Sequence, residues 1–85
     1  MPDSDPITVT VRLRSILGRF RPDPKDRTPF AVELSPGATV DDLLTQLEVD
    51  PKLAHLVFID HVRSERSAVL ADGAALDIFP PIAGG

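Results

Sequence analysis

Residues 72–85 read Asp72-Gly73-Ala74-Ala75-Leu76-Asp77-Ile78-Phe79-Pro80-Pro81-Ile82-Ala83-Gly84-Gly85. Asp72-Gly73 is a turn signal, and Leu76, Ile78 and Phe79 read as a final strand. Two prolines then end that strand, because proline fixes φ and has no N–H to give to a ladder. The predicted result is a stiff exit from a domain, followed by a thin tip. Gly84 and Gly85 lack Cβ atoms and suit an extended thread through a channel too narrow for other residues. A Gly-Gly end alone is commonly a frayed terminus. Here Ile78, Phe79 and Ile82 keep the chain apolar up to the tip, so the tail reads as built for threading into a partner.

Working back from the tail, Leu56-Val57-Phe58-Ile59 is a continuous apolar run, predicted as a central strand buried on both faces. A short strand is expected around Val62, and Asp50-Pro51 should start a single turn. Before that, Thr39-Val40-Asp41-Asp42 places a hydroxyl at a helix cap and a carboxylate three residues later. Val40, Leu43, Leu44 and Leu47 fall on one apolar stripe, so a helix is predicted from about residue 40 to 48, following the Ser35-Pro36-Gly37 turn. Two alternating strands precede it. Ile7, Val9, Val11 and Leu13 alternate with Thr8, Thr10, Arg12 and Arg14, and Phe30, Val32 and Leu34 alternate with Ala31 and Glu33. They suggest an antiparallel hairpin. Its long tip, Ser15 to Pro29, is punctuated by Gly18, Pro22, Pro24 and Pro29 and reads as too broken for a regular element, with the position of Phe20 undecided.

Composition limits what such a chain can do. Eighty-five residues allow one small domain without a deep catalytic cleft and cofactor site. Hydrophobic residues at 42% and charged residues at 26% are those of a globular chain. With no cysteine, any sulfur handled here is carried on something other than a side-chain thiol. No run is long enough for a membrane span, residues 1–6 read as a flexible leader, and the cytoplasm is the expected location. The net charge of −4 argues against nucleic acid. Arg12, Arg14, Arg19 and Arg21 cluster, but read as a solvated strand face and loop. Asp41 and Asp42 are explained by helix capping rather than catalysis. His55 and His61 lack co-ligands at metal-binding spacing, so no metal site is expected. No catalytic triad or phosphate loop is present.

Strand, long-tipped hairpin, helix and further strands make an α+β chain with a mixed four- to five-stranded sheet and one main helix across it. That is the element order of a β-grasp, ubiquitin-like domain, here residues 7–79, with residues 80–85 as an extended tail. If the first and last strands are neighbours, the sheet has a parallel pair at its centre. The ending DGAALDIFPPIAGG and the segment SPGATVDDLLTQL resemble the MoaD/ThiS family of ubiquitin-like sulfur carriers, and the ending is especially similar to the small subunit of molybdopterin synthase.

The resemblance implies that Gly85 is the reactive group. An E1-like adenylating enzyme (MoeB/ThiF-like), using ATP and magnesium, would adenylate its carboxylate, and sulfur would then replace AMP to give a thiocarboxylate. The acceptor would be an enzyme such as the molybdopterin synthase large subunit, with no cofactor held stably by the carrier itself. Phe79, Pro80, Pro81, Ile82, Ala83 and Gly84 would contact partners, Phe79 and Ile82 as anchors beside an exposed sheet face. A protein modifier joined through Gly85, or a carrier for thiamine or tRNA thiolation, shares the same activation chemistry. Two departures from the family pattern, Asp60-His61 in place of an Asn-Gly-type turn and the proline-rich loop 18–29, leave the acceptor open.

Overall fold

Alternation along β1 (Ile7–Leu13) sends Val9, Val11 and Leu13 inward and leaves Thr8, Thr10 and Arg12 exposed. The computed structural model describes residues 5–81. β2 (Phe30–Leu34) repeats the pattern with Val32 and Leu34 buried, and pairs antiparallel with β1 from Ile7↔Leu34 to Val11↔Phe30. With β3 (Leu56–Ile59), β4 (Val62–Ser64) and β5 (Ala75–Phe79), these strands form one five-stranded sheet among the described residues, in the order β2-β1-β5-β3-β4. The expected parallel pair stands at its centre, β1 against β5 from Thr10↔Ala75 to Leu13↔Ile78, and every other pair is antiparallel. This is the mixed sheet with one helix of a ubiquitin-like β-grasp fold.

The helix α1 (Val40–Gln46) begins where the hydroxyl and carboxylate predict. Thr39 Oγ1 accepts from Asp42 N at 3.3 Å, and Asp42 Oδ2 accepts from Thr39 N at 2.9 Å, a reciprocal capping box. The next free amides, of Val40 and Asp41, donate to Ala68 O at 3.1 Å and Arg66 O at 2.9 Å. A loop distant in sequence thus satisfies donors that every helix start leaves open. At the other end the helix is shorter than predicted. Glu48 adopts φ 61°, its N–H reaches Thr45 O, and Val49 N–H reaches Leu44 O. This is a Schellman closure with glutamate where glycine is usual, sealed by the burial of both Val49 and Leu44. Asp50 then caps the single 3-10 turn Pro51–Leu53 by accepting from Lys52 N at 2.9 Å.

Val40, Leu43 and Leu44 share one buried cluster with Val9, Val11, Val57, Leu76 and Ile78 from the sheet. Each such side chain contributes about 2 kcal/mol relative to leaving it in water.

Two regions differ from the sequence expectation. Residues Ser15–Phe20 form a 3-10 helix, closed by Leu17 N to Arg14 O and Arg21 N to Gly18 O. The prolines that break the loop begin only at Pro22. Upstream of them Leu17 is fully buried and Phe20 packs against the core, so apolar burial folds the segment back. The run Leu56–Ile59 is not buried on both faces: only Val57 is buried, the others half-buried. β3 lies next to last in the sheet, and Phe58 faces the side that no helix of the described residues covers.

The turn after β3 puts Asp60 and His61 at φ 51° and 70°, the paired left-handed conformation of a two-residue hairpin. Asp60 Oδ1 accepts from Ala75 N at 3.0 Å, tying that turn to the start of β5.

Candidate functional site

Along β5, Leu76 and Ile78 enter the core while Ala75, Asp77 and Phe79 lie on the uncovered face. Strand register decides what stands beside them. Thr10 lies opposite Ala75 on β1, and Phe58 lies opposite Asp77 on β3. The Phe58 and Phe79 rings meet edge to face, with centroids 5.8 Å apart and planes at 83°. Arg14, at the end of β1, donates from Nε at 3.0 Å and from Nη2 at 2.6 Å to Asp77 Oδ1, and its guanidinium carbon lies 5.6 Å from the Phe79 ring centroid.

The Arg14 and Asp77 side chains are 41% and 18% exposed, so solvent screens the pair and its stabilising energy is modest. Its stronger effect is geometric: Arg14 is clamped between an acid and a ring, which restricts where Phe79 can turn. Thr10, Phe58, His61, Ala75, Asp77 and Phe79 line an open hollow of ≈ 650 Å³ on this face. An aromatic floor inside a polar rim is the anatomy of a protein docking surface.

At the end of β5 the backbone is held from both sides. Arg14 N donates to Ile78 O and His55 N to Phe79 O, each at 2.9 Å. Pro80 has no N–H to continue either ladder, and the strand stops at Phe79. Pro80 is half-buried and Pro81 exposed. Of the predicted site residues, Phe79, Pro80 and Pro81 therefore sit together at the mouth of the central strand, beside the hollow. Ile82, Ala83, Gly84 and Gly85 lie outside the described residues.

Phe58, Arg14 and Asp77 belong to this face; the sequence points to Arg14 only as one of the clustered arginines and puts none of the three beside Phe79. Asp77 carried a faint signal, an acid between two core positions of a strand. Phe58 was hidden inside an apolar run, and only cross-strand register brings Arg14 to Phe79.

Other candidates resolve simply. Asp42 serves the capping box, and Asp41 faces Arg66 at 3.7 Å. His55 and His61 are exposed. Among the described residues no group of three His, Cys, Asp or Glu is placed to hold a metal, and no helix is long and apolar enough to cross a membrane.

Comparison with known proteins places this geometry. The ThiS family model matches residues 21–85, most of the chain and the whole tail. No curated protein matches. Among solved structures, the Haloferax volcanii HVO 2177 protein superposes with a TM-score of 0.74 at 22% identity, covering 100% of this chain and 94% of that one. SAMP1 from Haloferax volcanii gives 0.66 at 22% identity, covering 92% and 99%. A Pyrococcus furiosus protein provisionally named molybdopterin converting factor, subunit 1, gives 0.65 at 18% identity, covering 89% and 99%. At these identities the structural likeness is one of fold. The family match extends through Gly85, and on that ground the chain belongs to the ThiS family of ubiquitin-like sulfur carriers.

Proposed function

We propose that the chain carries sulfur as a thiocarboxylate on Gly85 and donates it in the cytoplasm, in the synthesis of the molybdenum or tungsten cofactor pterin. Members of the family work with an E1-like activating enzyme and with an acceptor enzyme. The observation that carries the reading is the exit of β5: a strand gripped on both sides to Phe79, ended by Pro80-Pro81, and continued in sequence by Ile82-Ala83-Gly84-Gly85. The Phe-Pro-Pro form of that exit favours the pterin branch over the thiazole branch.

A carboxylate is a poor electrophile. One Gly85 oxygen attacks the α-phosphorus of ATP and releases pyrophosphate, giving an acyl adenylate with AMP as leaving group. A persulfide on the partner attacks the acyl carbon with its terminal sulfur, loses its proton and expels AMP, giving an acyl disulfide. A partner thiol then attacks the donor sulfur, so that the electron pair of the S–S bond stays on the acyl sulfur as the thiocarboxylate and the donor and the thiol are left joined as a disulfide. The chain's own part is to position an acyl group, which requires a rigid root, a slender tip and a face for the partner to grip. Gly84 and Gly85 supply the slender tip, and the hollow around Phe58 and Phe79 supplies the face.

Intact-mass measurement after incubation with ATP, magnesium, a cognate activating enzyme and a sulfur source tests the reading. A gain of about 16 mass units at the C-terminal peptide, sulfur replacing oxygen, is the expected result. A covalent adduct with a second protein, formed with loss of water, would assign the chain to protein modification instead. No change with an enzyme active on another carrier would overturn the activation of Gly85 altogether.

A further inference from the structure

Six of the nine basic residues fall between Arg12 and Arg27, against two acids, Asp23 and Asp26. Everything else in the chain holds three basic residues and eleven acidic ones. The fold concentrates this asymmetry further. The 3-10 helix Ser15–Phe20 reverses the chain after β1, and the following loop brings Arg21 and Arg27 to the notch that Arg12 and Arg14 border, with Ser15 and Thr28 completing its wall. Arg19 points elsewhere, its guanidinium carbon 5.1 Å from the Phe20 ring centroid.

Arg21 is seated rather than waving in solvent. It donates from Nη1 to Leu13 O at 3.4 Å and from Nη2 to Pro24 O at 2.8 Å, tying the loop to the end of β1, while its Nε is buried without a hydrogen-bond partner. Gly18 makes the seat: a Cβ there would lie 2.7 Å from Nη2 and 2.9 Å from the guanidinium carbon. No acid of the described residues lines the notch, and Asp26, whose charge acts on Arg21, and Asp77 have partners of their own. Asp26 Oδ1 accepts from Thr28 N at 2.9 Å and Thr28 Oγ1 at 2.7 Å, and Asp77 holds Arg14. Arg12 and Arg27 are exposed at the rim.

We propose that this notch receives the carboxylates of an acidic segment on the protein that processes the tail. The assignment of that partner rests on the reading of Gly85 given above. Leu13, which lines the notch, pairs with Ile78, so the notch borders the strand next to the one that hands the chain to Pro80. The notch adjoins the hollow, since Arg12 and Arg14 line both, and a charged attachment that extends from the hollow to Arg21 and Arg27 fixes the orientation of a partner seated there. Complementary charge also speeds encounter. A short protein segment fits better than a nucleic acid, because a long polyanion reaching past the notch would run into the acidic remainder of the surface.

The first test is a titration of the full ¹⁵N-labelled chain at low salt with a hexaglutamate peptide and, separately, with inorganic phosphate. The peptide should shift the signals of Arg12, Arg27, Thr28 and the Arg21 Nε–H saturably and leave Arg63 and Arg66 in place. Affinity should fall at least tenfold in R12E/R27E, whose sites are exposed. It should fall several-fold in G18A, which keeps every charge and displaces only the Arg21 guanidinium. Equal shifts at Arg63 and Arg66, a response to phosphate without one to the peptide, or no response would each overturn the notch.

The second test is adenylation by the cognate activating enzyme. R12E/R27E should raise KM for the carrier about tenfold with kcat within twofold, an effect that fades at high salt. An unchanged KM overturns the notch while leaving the Gly85 chemistry standing. Absence of adenylation in the wild type overturns the Gly85 reading, and with it the assigned partner.

Discussion

Consecutive residues of β5 serve two faces that are built differently. Leu76 and Ile78 are 1% and 0% exposed in a cluster that draws on the central strands, the helix and the loops around it. Asp77 and Phe79, one residue away, are held by a single ion pair, an edge-on ring and a guanidinium. The covered face is dense and multiply supported, whereas the uncovered face is sparse and reachable. Under the proposed function, stability and recognition are carried by alternate side chains of the same strand, and substitutions on the two faces should separate cleanly.

The largest effect is expected at Ile78. Replacing it with alanine should remove about 3–4 kcal/mol, read as a shift of the urea midpoint. In so small a domain that is most of the stability, and a loss below about 1 kcal/mol would mean that the covered face is not the core. Phe79→Ala should instead cost about 2 kcal/mol of affinity for the cognate activating or acceptor enzyme, a roughly thirtyfold weaker complex by calorimetry. A folded variant that binds as well as wild type would remove Phe79 from the docking face.

The covered face also depends on how its helix is closed. Thr39→Ala should cost about 1 kcal/mol by thermal or chemical unfolding, through loss of the capping box. Glu48→Gly, at φ 61°, should return up to about 1 kcal/mol, since glycine adopts that conformation without Cβ strain. Opposite signs at the two helix ends are the result to look for.

On the uncovered face, Asp77→Ala should change unfolding stability by less than about 1 kcal/mol, because both partners are partly solvated. It should nevertheless loosen Phe79, seen as increased ring motion by NMR. The smallest effect lies in the loop. The Thr28 hydroxyl, then the Thr28 amide, hold the Asp26 carboxyl below its ordinary value. A carboxyl lowered on folding stabilises above its unfolded pKa, about 3.9, and that contribution is lost as pH falls through the folded value. Thr28→Val should move the Asp26 titration back up, as followed by carboxyl-carbon NMR.

Much of this was written locally. Strict alternation of β-branched residues specified β1, the Thr39 hydroxyl with Asp42 specified the helix start, and Pro80-Pro81 specified where β5 stops, because each of these depends on covalent geometry or on hydrogen bonds within a few residues. The family, too, was legible in the terminal fourteen residues. What required the tertiary structure was every relation across strands. Phe58 reads as core in a run of four apolar residues, and reaches the face of the hollow only because its side of β3 is covered by no helix of the described residues. Arg14 and Asp77 are sixty-three residues apart and meet through the parallel pairing of β1 with β5. Gly18 reads as a loop residue, and its reason is the Arg21 guanidinium laid across it. Sequence determines local geometry through short-range sterics and hydrogen bonding, while the partners of an exposed side chain are set by register and strand order, which no single segment encodes.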